Sequence, residues 1–256
     1  MKSIPRLMCV LLAIAWLGAQ DIAAQSADSD ATTDASPPAP IELLKSATAE
    51  LRRGHRTEAL QLARQLADQP VPRNLRSATA DLLLRAGDPD RAVKLFDQFL
   101  DDSPNDKPYL WQRGISLYFA GKYAEGAEQF EVHRKVNPND VENAAWHYLC
   151  VAKKESPEKA QQLLLPAPGD LREPMDEVLE MLRTGDPDGV SRRMDAIAAS
   201  DAAHRSARFY GHLYLGLFAD AQGRKAEARK QMESAVRFAD RGYMGDVARV
   251  YADHLQ

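Results

Sequence analysis

Five glycines constrain this chain more than any other feature. Gly54, Gly87, Gly121, Gly185 and Gly223 are each followed, five positions on, by a small or β-branched residue: Ala59, Ala92, Gly126, Val190 and Ala228. Nine positions after the glycines stand Ala63, Phe96, Phe130, Met194 and Met232, and seven before them Ala47, Ala80, Gly114, Val178 and Gly216. The intervals between the glycines are 33, 34, 64 and 38 residues. The long interval has room for one more unit, in which Glu155 takes the glycine position and Ala160 the small one. Six units result, with turns near residues 54, 87, 121, 155, 185 and 223.

Each unit reads as a helix, a tight turn and a second helix. Glycine adopts the left-handed backbone that ends a helix, and small residues let two helix axes approach closely. Pro104 and Pro138 lie in matching phrases, Ser103-Pro104-Asn105-Asp106 and Asn137-Pro138-Asn139-Asp140, where they stop the second helices. Such a unit cannot bury its apolar face alone, so the units must stack. The predicted fold is all-α: an α-solenoid of about six helix-turn-helix units over residues 41–242, closed by a C-terminal capping helix over residues 243–256. In that last segment Val247, Val250, Tyr251 and Leu255 fall at helical spacing. Dimerisation is the alternative role for it.

Residues 107–140 carry Gly114, Gly121-Lys122-Tyr123, Gly126, Phe130 and Pro138, and the unit before them Ala80, Gly87-Asp88-Pro89, Ala92, Phe96 and Pro104. This pattern resembles the tetratricopeptide repeat, whose period is about 34 residues. The chain departs from it in three places. The first unit has Ala63 where an aromatic is usual, the fourth has no turn glycine, and a proline-rich break runs from Pro166 to Pro174.

The start of the chain has a different character. Lys2 and Arg6 precede an apolar run over residues 7–18 and a small, polar stretch over residues 19–25. That order predicts a secretory signal over residues 1–25, cut near Ala24 or Gln25. The run is shorter than the ~20 apolar residues a membrane span needs, and an uncleaved anchor is the alternative. Residues 26–40, SADSDATTDASPPAP, offer nothing to bury and predict a disordered linker. Export places the repeats in the periplasm or outside the cell. Loss of Cys9 with the signal leaves Cys150 without an intrachain partner.

The wording of residues 110–152 and 209–236 is also similar to the repeat family of the bacterial envelope lipoprotein NlpI. That resemblance implies a non-enzymatic adaptor or scaffold that brings an envelope hydrolase or protease to its substrate, and it allows a homodimer. The chain departs from the family's lipobox, because Arg6, Leu7 and Met8 stand before Cys9.

Charge and motifs narrow the function further. A formal net charge of −4 gives no clustered basic surface for nucleic acid. No His-Glu-x-x-His, Gly-x-Ser-x-Gly or Gly-x-Gly-x-x-Gly occurs. Gly121 and Gly126 have the spacing of a phosphate loop, but Ala127 and Glu128 follow where Lys and Ser or Thr are required. His147 and Cys150 are two of the four ligands a structural zinc needs. No enzyme, cofactor, metal or small-molecule substrate is expected.

A protein or peptide partner is expected in the concave groove, which first helices line in such arrays. Trp111, Ile115, Tyr118, Trp146, Tyr210 and Leu213 are the candidate groove residues, because aromatic side chains dominate binding surfaces. The competing expectation is that they are buried core. Ser77, Asp81, Trp111 and Ile115 occupy the places where a carboxylate-clamping array carries Lys, Asn and Arg, so an extended apolar or mixed peptide is the expected ligand. A self-associating structural protein is the alternative function.

Overall fold

The computed structural model describes residues 38–256; the predicted signal and nearly all of the predicted linker lie outside the described residues. The described residues form thirteen α-helices and one 3₁₀ turn over Pro104–Tyr109, with no strand among them. Six antiparallel pairs follow the predicted units: α1 (Pro40–Arg53) with α2 (Arg56–Ala67), α3 (Arg73–Ala86) with α4 (Pro89–Asp102), and α5 (Trp111–Phe119) with α6 (Tyr123–His133). Then come α7 (Val141–Lys154) with the short α8 (Pro157–Gln162), α9 (Met175–Thr184) with α10 (Asp188–Ala196), and α11 (His204–Ala221) with α12 (Lys225–Phe238). A last helix, α13 (Tyr243–His254), follows.

The glycines do what their spacing predicts. Gly54, Gly87, Gly121, Gly185 and Gly223 have φ between 72° and 109°, and no other described residue has a positive φ. Beyond four of them a backbone N–H reaches back five residues to cap the first helix: His55 to Glu50, Asp88 to Leu83, Lys122 to Leu117 and Arg224 to Ala219, at 2.8–3.0 Å. The fourth unit turns at Glu155 without glycine, its φ at −125°, and Ser156 caps α8 through a bond from the Lys159 amide (3.2 Å). That second helix is only six residues long, and residues 163–174, which include the proline-rich break, form no helix.

All fifteen residues that repeat with the glycines are buried, from Ala47 and Ala59 in the first unit to Gly216 and Met232 in the last. Their smallness is used in full at Gly114, where a Cβ would lie 2.6 Å from the Phe130 ring of the paired helix, and at Gly126, where it would lie 2.8 Å from Cys150 Sγ. At Gly121, by contrast, a Cβ would meet nothing within 4 Å.

The final helix does more than cover the end of the stack. It packs on α12, and its other face lies against α3 and reaches first helices of three other units. Tyr243 meets Trp111 of α5, and Tyr251 meets Tyr118, Phe119 and Trp146 of α5 and α7. Arg56 pairs with Asp253, and Arg241, just before α13, donates to the Arg52 carbonyl at 3.0 Å. The array therefore curls until its end meets its beginning, and α13 occupies the concave side.

Two glycine substitutions separate close approach from backbone conformation. Gly114→Ala should lower stability by about 2 kcal/mol through overpacking against Phe130, and Gly121→Ala by about 1 kcal/mol through its left-handed backbone alone. Urea denaturation of both variants measures this, and a larger loss for Gly121→Ala would refute the assignment.

Candidate protein-binding groove

The concave side is built from first helices, and α13 divides it. A cavity of about 240 Å³ remains between α5, α7 and the start of α13, walled by Trp111, Ile115, Phe130, Trp146, Tyr243 and Met244. A second, of about 390 Å³, adjoins it between α11 and α13, walled by Phe209, Tyr210 and Phe238, with Arg205 and Asp240 at its rim. Tyr243 and Met244 line both.

A larger cavity of about 500 Å³ opens at the loop between α2 and α3. Its guanidiniums are already paired, Arg76 with Asp102 and Arg91 with Asp68, each at 2.6 Å. It holds none of the six residues predicted for the groove.

Those six residues divide between groove and core. Trp111, Ile115 and Trp146 line the first cavity and Tyr210 the second. Trp111 and Tyr210 are half-buried, whereas Ile115 and Trp146 are each 1% exposed and present only an edge. Tyr118 and Leu213 are fully buried and line neither cavity, so for them the expected groove role is corrected to core. The reason is α13. Helical spacing shows that α5 is apolar on two faces, and the second face is covered by the chain's own last helix.

Tyr118 belongs to a buried polar junction. Its hydroxyl donates to Asp220 Oδ2 at 2.7 Å, the Tyr251 hydroxyl donates to the same oxygen at 2.5 Å, and Lys153 Nζ donates to Oδ1 at 2.6 Å. Burial alone would raise the Asp220 pKa, but these three donors hold it below the usual carboxylate range. The junction joins α5, α7, α11 and α13.

A second polar contact fastens the start of α13. Arg85 of α3 donates to Asp246 at 2.8 and 3.1 Å, lies 3.6 Å from Asp81, and stacks over the Tyr243 ring at 5.0 Å. Burial outweighs the guanidinium here, and both Asp81 and Asp246 are pushed above the usual range. On the far wall, Glu142 accepts from Arg172 and from the Tyr214 hydroxyl (2.7 Å), and Arg172 stacks on Tyr210 at 5.3 Å.

The concave face thus offers an apolar floor and carboxylates with paired guanidiniums, a surface for apolar and mixed side chains. His147 and Cys150 are buried, and burial lowers the histidine pKa and raises that of the thiol. Among the described residues no three His, Cys, Asp or Glu side chains gather as metal ligands. The contribution of Tyr243, Met244, Asp220 and Arg85 was not read from sequence. The signal for Asp220 is an acid inside the apolar run Leu217-Phe218-Ala219-Asp220-Ala221.

Asp220→Asn should destabilise the fold by about 3 kcal/mol at pH 7, as expected for breaking a buried ion pair. Because the folded-state pKa of Asp220 is depressed, its contribution is complete above the unfolded value of about 4 and is lost as pH falls below it. Chemical denaturation of wild type and variant should therefore give a gap that narrows below about pH 4; a gap that widens would contradict the junction.

No curated protein matches this chain. The family described as Tetratricopeptide repeat matches residues 44–107 and, overlapping them, residues 77–141. These matches span α1 to α6, the first three helix pairs. The helical repeats over residues 44–141 are tetratricopeptide repeats, a fold whose general role is protein–protein interaction.

Proposed function

We propose that this is an exported, non-enzymatic adaptor that captures a partner protein on its concave face, where two apolar cavities flank Tyr243 and Met244. The observation that carries the reading is an apolar recess, floored by Trp111 and Trp146, kept open on the concave side of a repeat array. Solenoids of this type present their concave surface to partners. Half-buried aromatic residues in a recess are what binding hot spots are made of. The export half of the proposal rests on the order of charge, apolar run and small residues over residues 2–25. The resemblance to the envelope adaptor family suggests a hydrolase or protease as partner.

Capture from an envelope extract on the immobilised full chain tests the site. Trp111→Ala combined with Tyr210→Ala should weaken partner binding at least tenfold, while Tyr109→Ala, 62% exposed and outside both cavities, should leave it unchanged. Partners retained by the double variant, with loss of self-association, would point to the structural assembly instead. N-terminal sequencing of the cell-envelope fraction should find a chain starting near Gln25 or Ser26; a chain starting at Met1 would remove the cleaved signal.

A further inference from the structure

We infer that α13 is the resident ligand of the concave face, and that a partner enters as an amphipathic helix that takes its place. This rests on the reading of that face as the binding surface, and it specifies the partner: an α-helix with an aromatic residue first, an acid three positions on and an aromatic eight positions on. Those are the places of Tyr243, Asp246 and Tyr251, which meet Trp111, Arg85 and the Asp220 junction. Residues three, four, seven and eight apart share one face of a helix, so a single helix presents all of them together.

The fit of α13 is incomplete, and that makes it replaceable. At its N-terminal end Asn143 Oδ1 and Trp146 Nε1 are buried without a hydrogen-bond partner, and the Tyr243 hydroxyl faces the Asp81 carboxylate without closing a well-formed hydrogen bond. Asn143, Trp146 and Tyr243 line the same cavity. Each such group is a penalty in the closed state that a helix with matching donors and acceptors relieves. Arg85 is shared there between two carboxylates, Asp81 and Asp246, the second of which also pairs with Arg249 of α13 itself at 3.3 Å. The tether is short and simple: only residues 239–242 separate α12 from α13. An occupant on the same chain lowers the apparent affinity of any competitor by the fraction of molecules in which it is open.

The test uses the full chain and a synthetic peptide of residues 240–256 carrying an N-terminal dansyl group. Seated in the groove, that group lies beside Trp111 and quenches its emission, because Tyr243 packs on that ring with centroids 4.6 Å apart. Asp246→Asn in the chain loosens the resident helix and leaves the groove whole, so the peptide should bind about tenfold more tightly than to wild type, the worth of a charged hydrogen bond. Arg85→Gln loosens the resident helix equally but removes the peptide's own partner, so little gain should appear. If Asp246→Asn fails to fold, Asp253→Asn, at the exposed pair with Arg56, serves in its place with a gain of about twofold.

Equal peptide affinity for wild type and the loosened chain, a gain as large in Arg85→Gln, or binding without quenching would each overturn the inference. Dimers of the loosened chain in light scattering, without peptide, would make a second copy's α13 the occupant and overturn the partner helix. Failure of the peptide arms while Trp111→Ala with Tyr210→Ala still abolishes capture would leave the adaptor standing and remove only helix replacement.

Discussion

Four helices meet at one carboxylate. Asp220 is 3% exposed, and a charge so buried is tolerated only when its oxygens are filled by good donors. Lys153, Tyr118 and Tyr251 provide them from α7, α5 and α13. The rest of the concave architecture depends on this junction. It draws first helices of the third, fourth and sixth units together and leaves α13 no place except inside the curve. With α13 held there, the accessible groove shrinks to the two recesses on either side of Tyr243 and Met244.

Beneath this single closure lies a regular, local arrangement. Each turn glycine sets the path from one helix to the next, and each small residue sets how closely the pair can pack. Local pairing of this kind is approximately additive along a stack and tolerates a poor unit. The fourth pair shows it: α8 has six residues and its turn lacks glycine, yet Ala160 is fully buried where the repeat requires a small side chain. An open stack would suffice for stability. The curl onto α3 and α5 is an additional, specific feature, supplied by a few polar contacts of long sequence separation.

That difference explains how much was legible in the sequence. The turns and the small contacts are local, so spacing alone located six units, five left-handed glycines and fifteen buried positions. Closure is not local. Helical periodicity identified the two apolar faces of α5, but nothing in it says that the second face meets α13. Tyr118 was therefore read as groove when it is core, while Trp111, four residues from Ile115 on the same helix, is half-buried at a recess. Asp220 and Lys153 are ordinary charged residues until the fold brings them to within 2.6 Å.

Unsatisfied polar groups show where the sequence has not been optimised for stability alone. Among the described residues, seven buried side-chain atoms lack a well-formed hydrogen bond, and six of them lie on α3, α5, α7 and α13: in Asp81, Gln112, Asn143, Trp146, His147 and Tyr243, of which Asp81 and Tyr243 face each other. Buried polar groups are normally paired, because each unpaired one costs about 1–3 kcal/mol. Three of these residues, Asn143, Trp146 and Tyr243, line the recess between α5, α7 and α13, whereas His147 turns toward Glu131 of α6. Local rules of satisfaction are broken at functional sites, and here two of the breaches, at Trp146 and Tyr243, fall on the aromatic residues of the recess themselves.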